Sequence, residues 1–429
     1  MRPLIRRVVA ILGVAGVLAA SAAHADGASA KLIARGAYLA KAADCIGCHT
    51  AAPKNDGPDP KPFAGGLPIA APFGTIYSSN ITPDAKFGIG GYRFEDFARA
   101  LRDGIAPGGK RLYPAMPYPS FSKIDDEDMR ALYAYFMHGV EPVAVAAPAT
   151  HLPFPYDQRW ALAFWNMAFA PTGRFQPNPA RDAQWNRGAY LVQSLGHCGA
   201  CHTPRGAAYN ETGYTETSGT YLTGGTLDHW YAPPLTALDG AGLGRLSAQD
   251  IASFLKIGHG GGAIAFGSMA QVVEDSTQYL TDPDLTAIAT YLKSLPATDQ
   301  GGKFDPNATT ARLKTGEQKR PGASIYANAC ARCHQSDGAG APMKYPRLAG
   351  NPAVLADNAD SLIRLLIQGG HAPSTVYGPL PKEMPAFGKK LTDAEIANVL
   401  SFVRGAWGND AKPVSPRDVR AVRDALASH

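Results

Sequence analysis

All six cysteines of this 429-residue chain stand in three copies of one pattern, C-x-x-C-H: Cys45-Ile-Gly-Cys48-His49, Cys198-Gly-Ala-Cys201-His202 and Cys330-Ala-Arg-Cys333-His334. Nothing is left over for a disulfide. C-x-x-C-H is the attachment signature of c-type haem, in which both thiols add to the porphyrin vinyl groups and the adjacent histidine binds iron from one face. A lone C-x-x-C can also be half of a zinc site or a thioredoxin-like redox pair. Zinc needs two pairs to converge, yet these pairs are 153 and 132 residues apart and each has a histidine in the same place. The pattern predicts three covalently attached haem c groups, held by Cys45 and Cys48, Cys198 and Cys201, and Cys330 and Cys333. His49, His202 and His334 are then the proximal iron ligands.

The surroundings of the motifs repeat as well. Arg35-Gly-Ala-Tyr-Leu39 precedes the first and Arg187-Gly-Ala-Tyr-Leu191 the second, an identical pentapeptide recurring after 152 residues. The third copy is looser, with Ser324-Ile-Tyr326 just before Cys330. Each unit ends in a segment of helical periodicity opened by a capping-box pattern: Asp125 with Asp128, Thr281 with Asp284, Thr392 with Glu395. Ten residues beyond each cap stands an aromatic, Tyr135, Tyr291 or Phe402, predicted to pack against the first helix of its own unit. The expected fold is mainly α, three tandem cytochrome c-type domains, each a small helical fold around one covalent haem. The expected boundaries are 30–140, 181–296 and 322–408, with linkers at 141–180 and 297–321 and a tail at 409–429.

Between its two helices each unit supplies a methionine. From His49 to Met116 is 67 residues, from His202 to Met269 is again 67, and from His334 to Met384 is 50. A thioether is a weak neutral ligand for low-spin haem iron, and His/Met pairing raises the reduction potential. Met116, Met269 and Met384 are the candidate distal ligands, a set that suits an electron carrier. His259 and His371, each following a glycine in the loop that leads to the methionine, are rivals. Met116 and Met384 are followed by proline and Met269 by alanine, so the rivalry is sharpest at the second site. Met129, Met137 and Met167 read as core filler and Met343 as a loop residue near a haem edge. Backbone carbonyls in Pro233-Pro234-Leu235 and Pro346-Arg347-Leu348, and less strongly Thr82-Pro83, are the expected acceptors for the other N–H of each histidine.

Arg2, Arg6 and Arg7, the apolar run Val8 to Ala20 and Ala23-His24-Ala25 together fit a secretory signal over 1–25. The run of 13 residues falls short of the ~20 that a spanning helix needs, and no later stretch reaches that length. Removing three arginines lowers the formal net charge from +5 to +2, which implies no nucleic-acid partner. Within the first linker, Trp160-Ala-Leu-Ala-Phe-Trp-Asn-Met-Ala-Phe169 is apolar nearly all round, so it is expected to be buried between two units or to meet lipid or another protein. The second linker is polar and glycine-bearing and reads as a hinge. Ser415-Pro-Arg-Asp418 opens a short amphipathic docking helix.

With these motifs assembled, the chain resembles the three-haem cytochrome c subunit of membrane-bound dehydrogenases of acetic acid bacteria and other proteobacteria. The resemblance runs from about residue 32 to 408, through R-G-A-Y-L, the three haem motifs, Asn80-Ile-Thr-Pro-Asp84 and the three methionines. It is specific to the family and not to one member, since gluconate, fructose, glucose and alcohol dehydrogenases all use such subunits. It implies a chain that is not an enzyme on its own but the electron-transfer subunit of a complex acting on CH-OH donors. Its partners are a catalytic flavoprotein or quinoprotein subunit as donor and ubiquinone or a terminal oxidase as acceptor. Its place is the periplasmic side of the bacterial inner membrane, peripherally attached. No G-x-G-x-x-G pattern opens a helix here, so substrate chemistry is expected elsewhere. Two other functions stay open at this point: a multihaem peroxidase-like enzyme, which needs one haem with an open distal face, and a free periplasmic electron shuttle.

Overall fold

The computed structural model describes residues 29–53, 59–297, 301–308 and 320–427; the signal segment expected at 1–25 lies outside them. The fold is mainly helical, with five two-stranded antiparallel ladders among the described residues. Each unit is organised by the crossing of two helices. The helix before the motif, over 29–42, Ala183–Tyr190 or Ala323–Ile325, meets the helix that closes the unit, Asp126–His138, Asp282–Lys293 or Asp393–Arg404.

A glycine makes each crossing possible. A Cβ on Gly36 would overlap the Ala131 carbonyl oxygen, one on Gly188 that of Ala287, and one on Gly322 that of Asn398. All three carbonyls lie six residues beyond a helix cap, Asp125, Thr281 and Thr392. The glycine of R-G-A-Y-L is therefore a contact residue, and Gly322 supplies the same contact where the pentapeptide has faded. The aromatics ten residues past the caps behave accordingly. Tyr291 meets Trp185 edge-on at 5.1 Å and Phe402 tilts against Tyr326 at 5.5 Å. In the first unit Tyr135 stands over Gly36 and is only half-buried, while its neighbour Phe136 takes the core position.

The units do not bury one core apiece. Leu39, Phe97, Leu132 and Phe136 of the first unit run into Leu191, Leu195, Leu285 and Leu292 of the second as one continuous cluster. The third unit has its own, around Tyr326, Ile363, Ile396 and Phe402. A small satellite gathers Ile76, Tyr113 and Leu152. The seam between the first two units is sealed by a reciprocal exchange. Arg35 pairs with Asp128 of its own unit at 2.6 Å, and Tyr190 of the second unit donates to the same carboxylate at 2.7 Å. Arg187 pairs with Asp284 of its own unit at 2.8 Å, and Tyr38 of the first donates to it at 2.5 Å. Both carboxylates are buried, which requires such partners. Burial, then the neighbouring carboxylate, raises the pKa of both tyrosines, so they keep their protons and donate.

This exchange corrects the expected capping boxes. Asp125 and Thr281 do accept the backbone N–H of Asp128 and Asp284, but those two carboxylates turn to arginine and tyrosine rather than back to the cap. In the third unit Glu395 does close the box, accepting from the Thr392 N–H at 2.8 Å.

The linkers also differ from expectation. Much of the 141–180 segment is strapped to the first unit: Asn80 donates to the Val143 and Val145 carbonyls, and Thr150 accepts from Tyr77 N–H. The aromatic helix Leu162–Phe169 is not buried between units. None of its residues is buried, and Trp160, Phe164 and Met167 are exposed, so Met167 is not core filler. Its one polar residue, Asn166, faces the body, accepting from Tyr118 and donating to the Asp103 carbonyl. In the second linker, residues 301–308 are no free hinge. Lys303–Phe304 pairs with Asn409–Asp410, and Gly302 N–H donates to the Leu355 carbonyl at 2.6 Å; the rest of that linker lies largely outside the described residues. The tail helix Pro416–Ala427 docks on its own chain, with Val419 and Val422 buried in the third core and Arg420 and Arg423 paired to Asp393.

Replacing Tyr38 or Tyr190 with phenylalanine removes one hydrogen bond to a buried carboxylate across the seam. Each change is expected to cost about 1.5–3 kcal/mol, read as a shift in the denaturant midpoint of the first two units with the third unit's transition unmoved.

Candidate functional site

Each C-x-x-C segment forms a short helical turn: Cys45–Cys48, Gly199–His202 and Ala331–His334. None of the six cysteines is bonded to another. Desolvation raises the Cys330 thiol to about 11 and those of Cys48 and Cys198 to about 12, and pushes Cys45 and Cys201 upward too. Among the described residues no three His, Cys, Asp or Glu side chains converge as a metal site, so the zinc reading finds no geometry.

The three histidines are clamped from two sides. His49 Nδ1 lies 2.7 Å from the Ser79 carbonyl oxygen, His202 Nδ1 2.7 Å from that of Pro233, and His334 Nδ1 3.0 Å from that of Pro346. A carbonyl can only accept, so each Nδ1 carries the hydrogen and each Nε2 keeps its lone pair for a metal. Burial lowers the pKa of all three imidazoles, which keeps them neutral. Pro233 and Pro346 are the acceptors read from the sequence; in the first unit Ser79 replaces the expected Thr82–Pro83. Asn80 and Thr82 serve a different purpose, since Asn80 Oδ1 accepts from Thr82 and Thr82 Oγ1 accepts from Val143 N–H, tying the first connector down.

The second side of the clamp left no recognisable signal in the sequence. A glycine N–H donates to the carbonyl of each motif histidine: Gly65 to His49 and Gly224 to His202, both at 2.8 Å, and Gly340 to His334 at 3.0 Å. All three glycines have positive φ, 74°, 101° and 64°, where a side chain is strained. Their spacing from the histidine differs in every unit, which hides the repeat from a reading by position.

The methionines are placed less uniformly. At the third motif a cleft brings Cys330, Cys333, His334, His371, Met384 and Pro385 to one space. Met384 sits on the strand Glu383–Met384 opposite Gly370. His371 is exposed, with its Nδ1 3.1 Å from the neighbouring Ala372 carbonyl. Met116 is half-buried and packs on the same core as Cys45. Met269 opens the helix Ser268–Asp275, which lies against both Cys45–Cys48 and Ala248–Ile257 and so stands at the seam of the first two units. Its rival His259 is buried, with Nε2 lacking a hydrogen-bond partner among the described residues, and faces Ile264 across the hairpin His259–Gly260/Ala263–Ile264. Met129 is core, Met137 packs beside it, and Met343 is an exposed loop residue.

A helical fold carrying C-x-x-C-H, with its histidine neutral, clamped through Nδ1 and open at Nε2, defines a c-type cytochrome. The cytochrome c family model matches residues 33–139 and 320–407. The chain is 46% identical over 418 residues to the alcohol dehydrogenase (quinone), cytochrome c subunit, of Gluconobacter oxydans (strain 621H), covering 95% of this chain and 86% of that one. It is 45% identical over 418 residues to the gluconate 2-dehydrogenase cytochrome c subunit of Pantoea cypripedii, covering 96% and 93%. To the fructose dehydrogenase cytochrome subunit of Gluconobacter japonicus it is 40% identical over 415 residues, covering 91% and 82%. The chain belongs to this family of dehydrogenase cytochrome c subunits.

Beside the second motif a carboxyl is buried. Glu211 is 6% exposed, its Oε2 has no hydrogen-bond partner among the described residues, and a Cβ on Gly199 would come within 2.6 Å of it. Desolvation pushes this carboxyl up to about 7 against the pull of Arg205 and Lys123. The folded state therefore binds the proton more tightly than the unfolded one. Stability from this group is complete below the ordinary pKa of 4.5 and declines as pH rises to about 7. Glu211→Gln should gain on the parent protein across that window and hold a constant advantage above it, as measured by thermal midpoints at stepped pH.

Proposed function

We propose that the chain relays electrons through three covalently bound haem c groups, one at each C-x-x-C-H, in three tandem units of which the first two share a core. The observation that carries this is the clamp repeated at His49, His202 and His334, a carbonyl on Nδ1 and a glycine N–H on the main chain. It recurs at the second motif, which lies outside the segments matched by the family model. The cleft at the third motif has cysteines, histidine and methionine in its walls, a lining that fits a haem.

Haem c, when bound, supplies a one-electron couple. The chain's own residues do the rest. The six cysteines would fix the group covalently, and His49, His202 and His334, with Met116, Met269 and Met384, would ligate its iron. Histidine and methionine together as ligands would keep the potential high and would leave no iron position for substrate. At the third site Met384 is favoured over His371, whose ring is exposed and turned to its own neighbour's carbonyl. The proximal clamp holds each imidazole as the neutral tautomer in one orientation, so its ligand geometry is set by backbone rather than by mobile side chains.

The donor in this reading is a catalytic flavoprotein or quinoprotein dehydrogenase subunit that oxidises a sugar, sugar acid or alcohol. The relatives named for alcohol, gluconate and fructose dehydrogenases support it. The acceptor is ubiquinone or a terminal oxidase of the respiratory chain. The signal-like segment at 1–25 supports a periplasmic location. Among the described residues no helix is long and apolar enough to cross a membrane.

The mass of the mature protein should exceed that of the polypeptide by three haems. Met116→Ala, Met269→Ala and Met384→Ala should each lower the potential of one haem and open it to carbon monoxide. Carbon monoxide binding by the unaltered reduced protein would favour the peroxidase-like alternative, and an unchanged redox titration would remove that methionine from the ligand set.

A further inference from the structure

The cleft at the third motif is not walled by the third unit alone. Ile264, Ala265 and Phe266, all from the second unit, line it together with Cys330 and His334. They follow directly on the Gly260–Ala263 turn of the second unit's hairpin, and the third unit grips that turn. Arg347 N–H donates to the Gly262 carbonyl at 2.8 Å, and its guanidinium donates to the Gly261 carbonyl at 3.0 Å. The residue before Arg347 is Pro346, whose own carbonyl faces His334 Nδ1. The contact that orients the third histidine and the contact that seats the second unit's hairpin are thus made by the two ends of one peptide group.

Phe266 is fixed on its other side as well. Its ring meets that of Trp230 at 6.1 Å and 63°. Trp230 lies under the Arg364 guanidinium of the third unit, 4.5 Å from the ring centre. Gly267, with φ of 56°, lets the chain pass where any Cβ would overlap the Trp230 ring. Alongside, Ser361 of the third unit exchanges hydrogen bonds with both the N–H and the carbonyl of Tyr231. Two residues past Gly267 comes Met269. Three residues of chain span at most about 11 Å, so the segment that closes the third cleft also carries the proposed ligand of the second haem.

We infer that Ile264–Phe266 are part of the third haem's binding site, with Phe266 a positioning residue that shields that haem from water, so that one short segment serves two haems. This rests on the three-haem reading above. An apolar shell controls solvent access and local dielectric at a metal centre, and through them its potential. Loss of the Phe266 ring opens the third cleft while leaving the ligands of all three irons in place.

The test is a redox titration of the full-length holoprotein carrying Phe266→Ala, with Phe266→Leu as the conservative control. One of the three potentials should fall in Phe266→Ala and largely recover in Phe266→Leu, with all three haems still low-spin. The haem that moves should be the one that Met384→Ala perturbs. Three unmoved potentials, or a shift confined to the haem that Met269→Ala perturbs, would overturn the inference. If Phe266→Ala does not mature, Ile264→Ala is read in the same way. Fewer than three haems by mass in the parent protein would instead refute the underlying three-haem reading, so the two failures stay distinct.

Discussion

Where the helix before each motif crosses the helix that closes its unit, a glycine at 36, 188 or 322 lets two backbones meet with no side chain between them. Moving these helices apart would separate the motif from the half of the unit that carries its methionine. Close packing leaves no slack to absorb a Cβ at such a point, because interiors are already as dense as organic crystals. The histidine clamp depends on the same economy. Gly65, Gly224 and Gly340 each reach the motif histidine's carbonyl from a left-handed conformation open to glycine at little cost.

The seam between the first and second units shows how a repeat becomes an interface. Arginine of R-G-A-Y-L satisfies a carboxylate in its own unit and tyrosine satisfies the corresponding carboxylate of the neighbour, so each pentapeptide serves both halves. The third unit, with neither the arginine nor the tyrosine in that register, keeps Glu395 at its cap and builds a separate core. It is joined to the second unit by polar and backbone contacts at Arg347, Ser361 and Arg364.

Much of the site is legible in the amino-acid sequence. Cysteine and histidine in a five-residue pattern carry their chemistry locally, and Pro233 and Pro346 were legible as acceptors because proline marks a turn. Ser79 was not, since any residue offers a carbonyl. The outward face of Leu162–Phe169 ran against its apolar composition, which said only that water alone is a poor neighbour for it. Residues 301–308 look polar and loose, yet main-chain pairing to Asn409–Asp410 binds them, and main-chain hydrogen bonds leave no mark on side-chain composition. The tail helix declared itself through Ser415, Asp418 and the Val419/Val422 stripe, but not the surface it covers.

The sequence by itself determined the number of attachment motifs, the histidine beside each, the helix caps and the repeated R-G-A-Y-L, because these are short-range patterns whose chemistry lies within a few residues. Only the tertiary structure decided that two units share one core, that the capping acids Asp128 and Asp284 serve the seam instead of the cap, and that the second unit's Phe266 lines the third cleft. Each of those depends on which surfaces meet across more than fifty residues of chain. A carboxylate or an aromatic ring takes its partner from whatever burial brings near, and the local pattern does not name that partner.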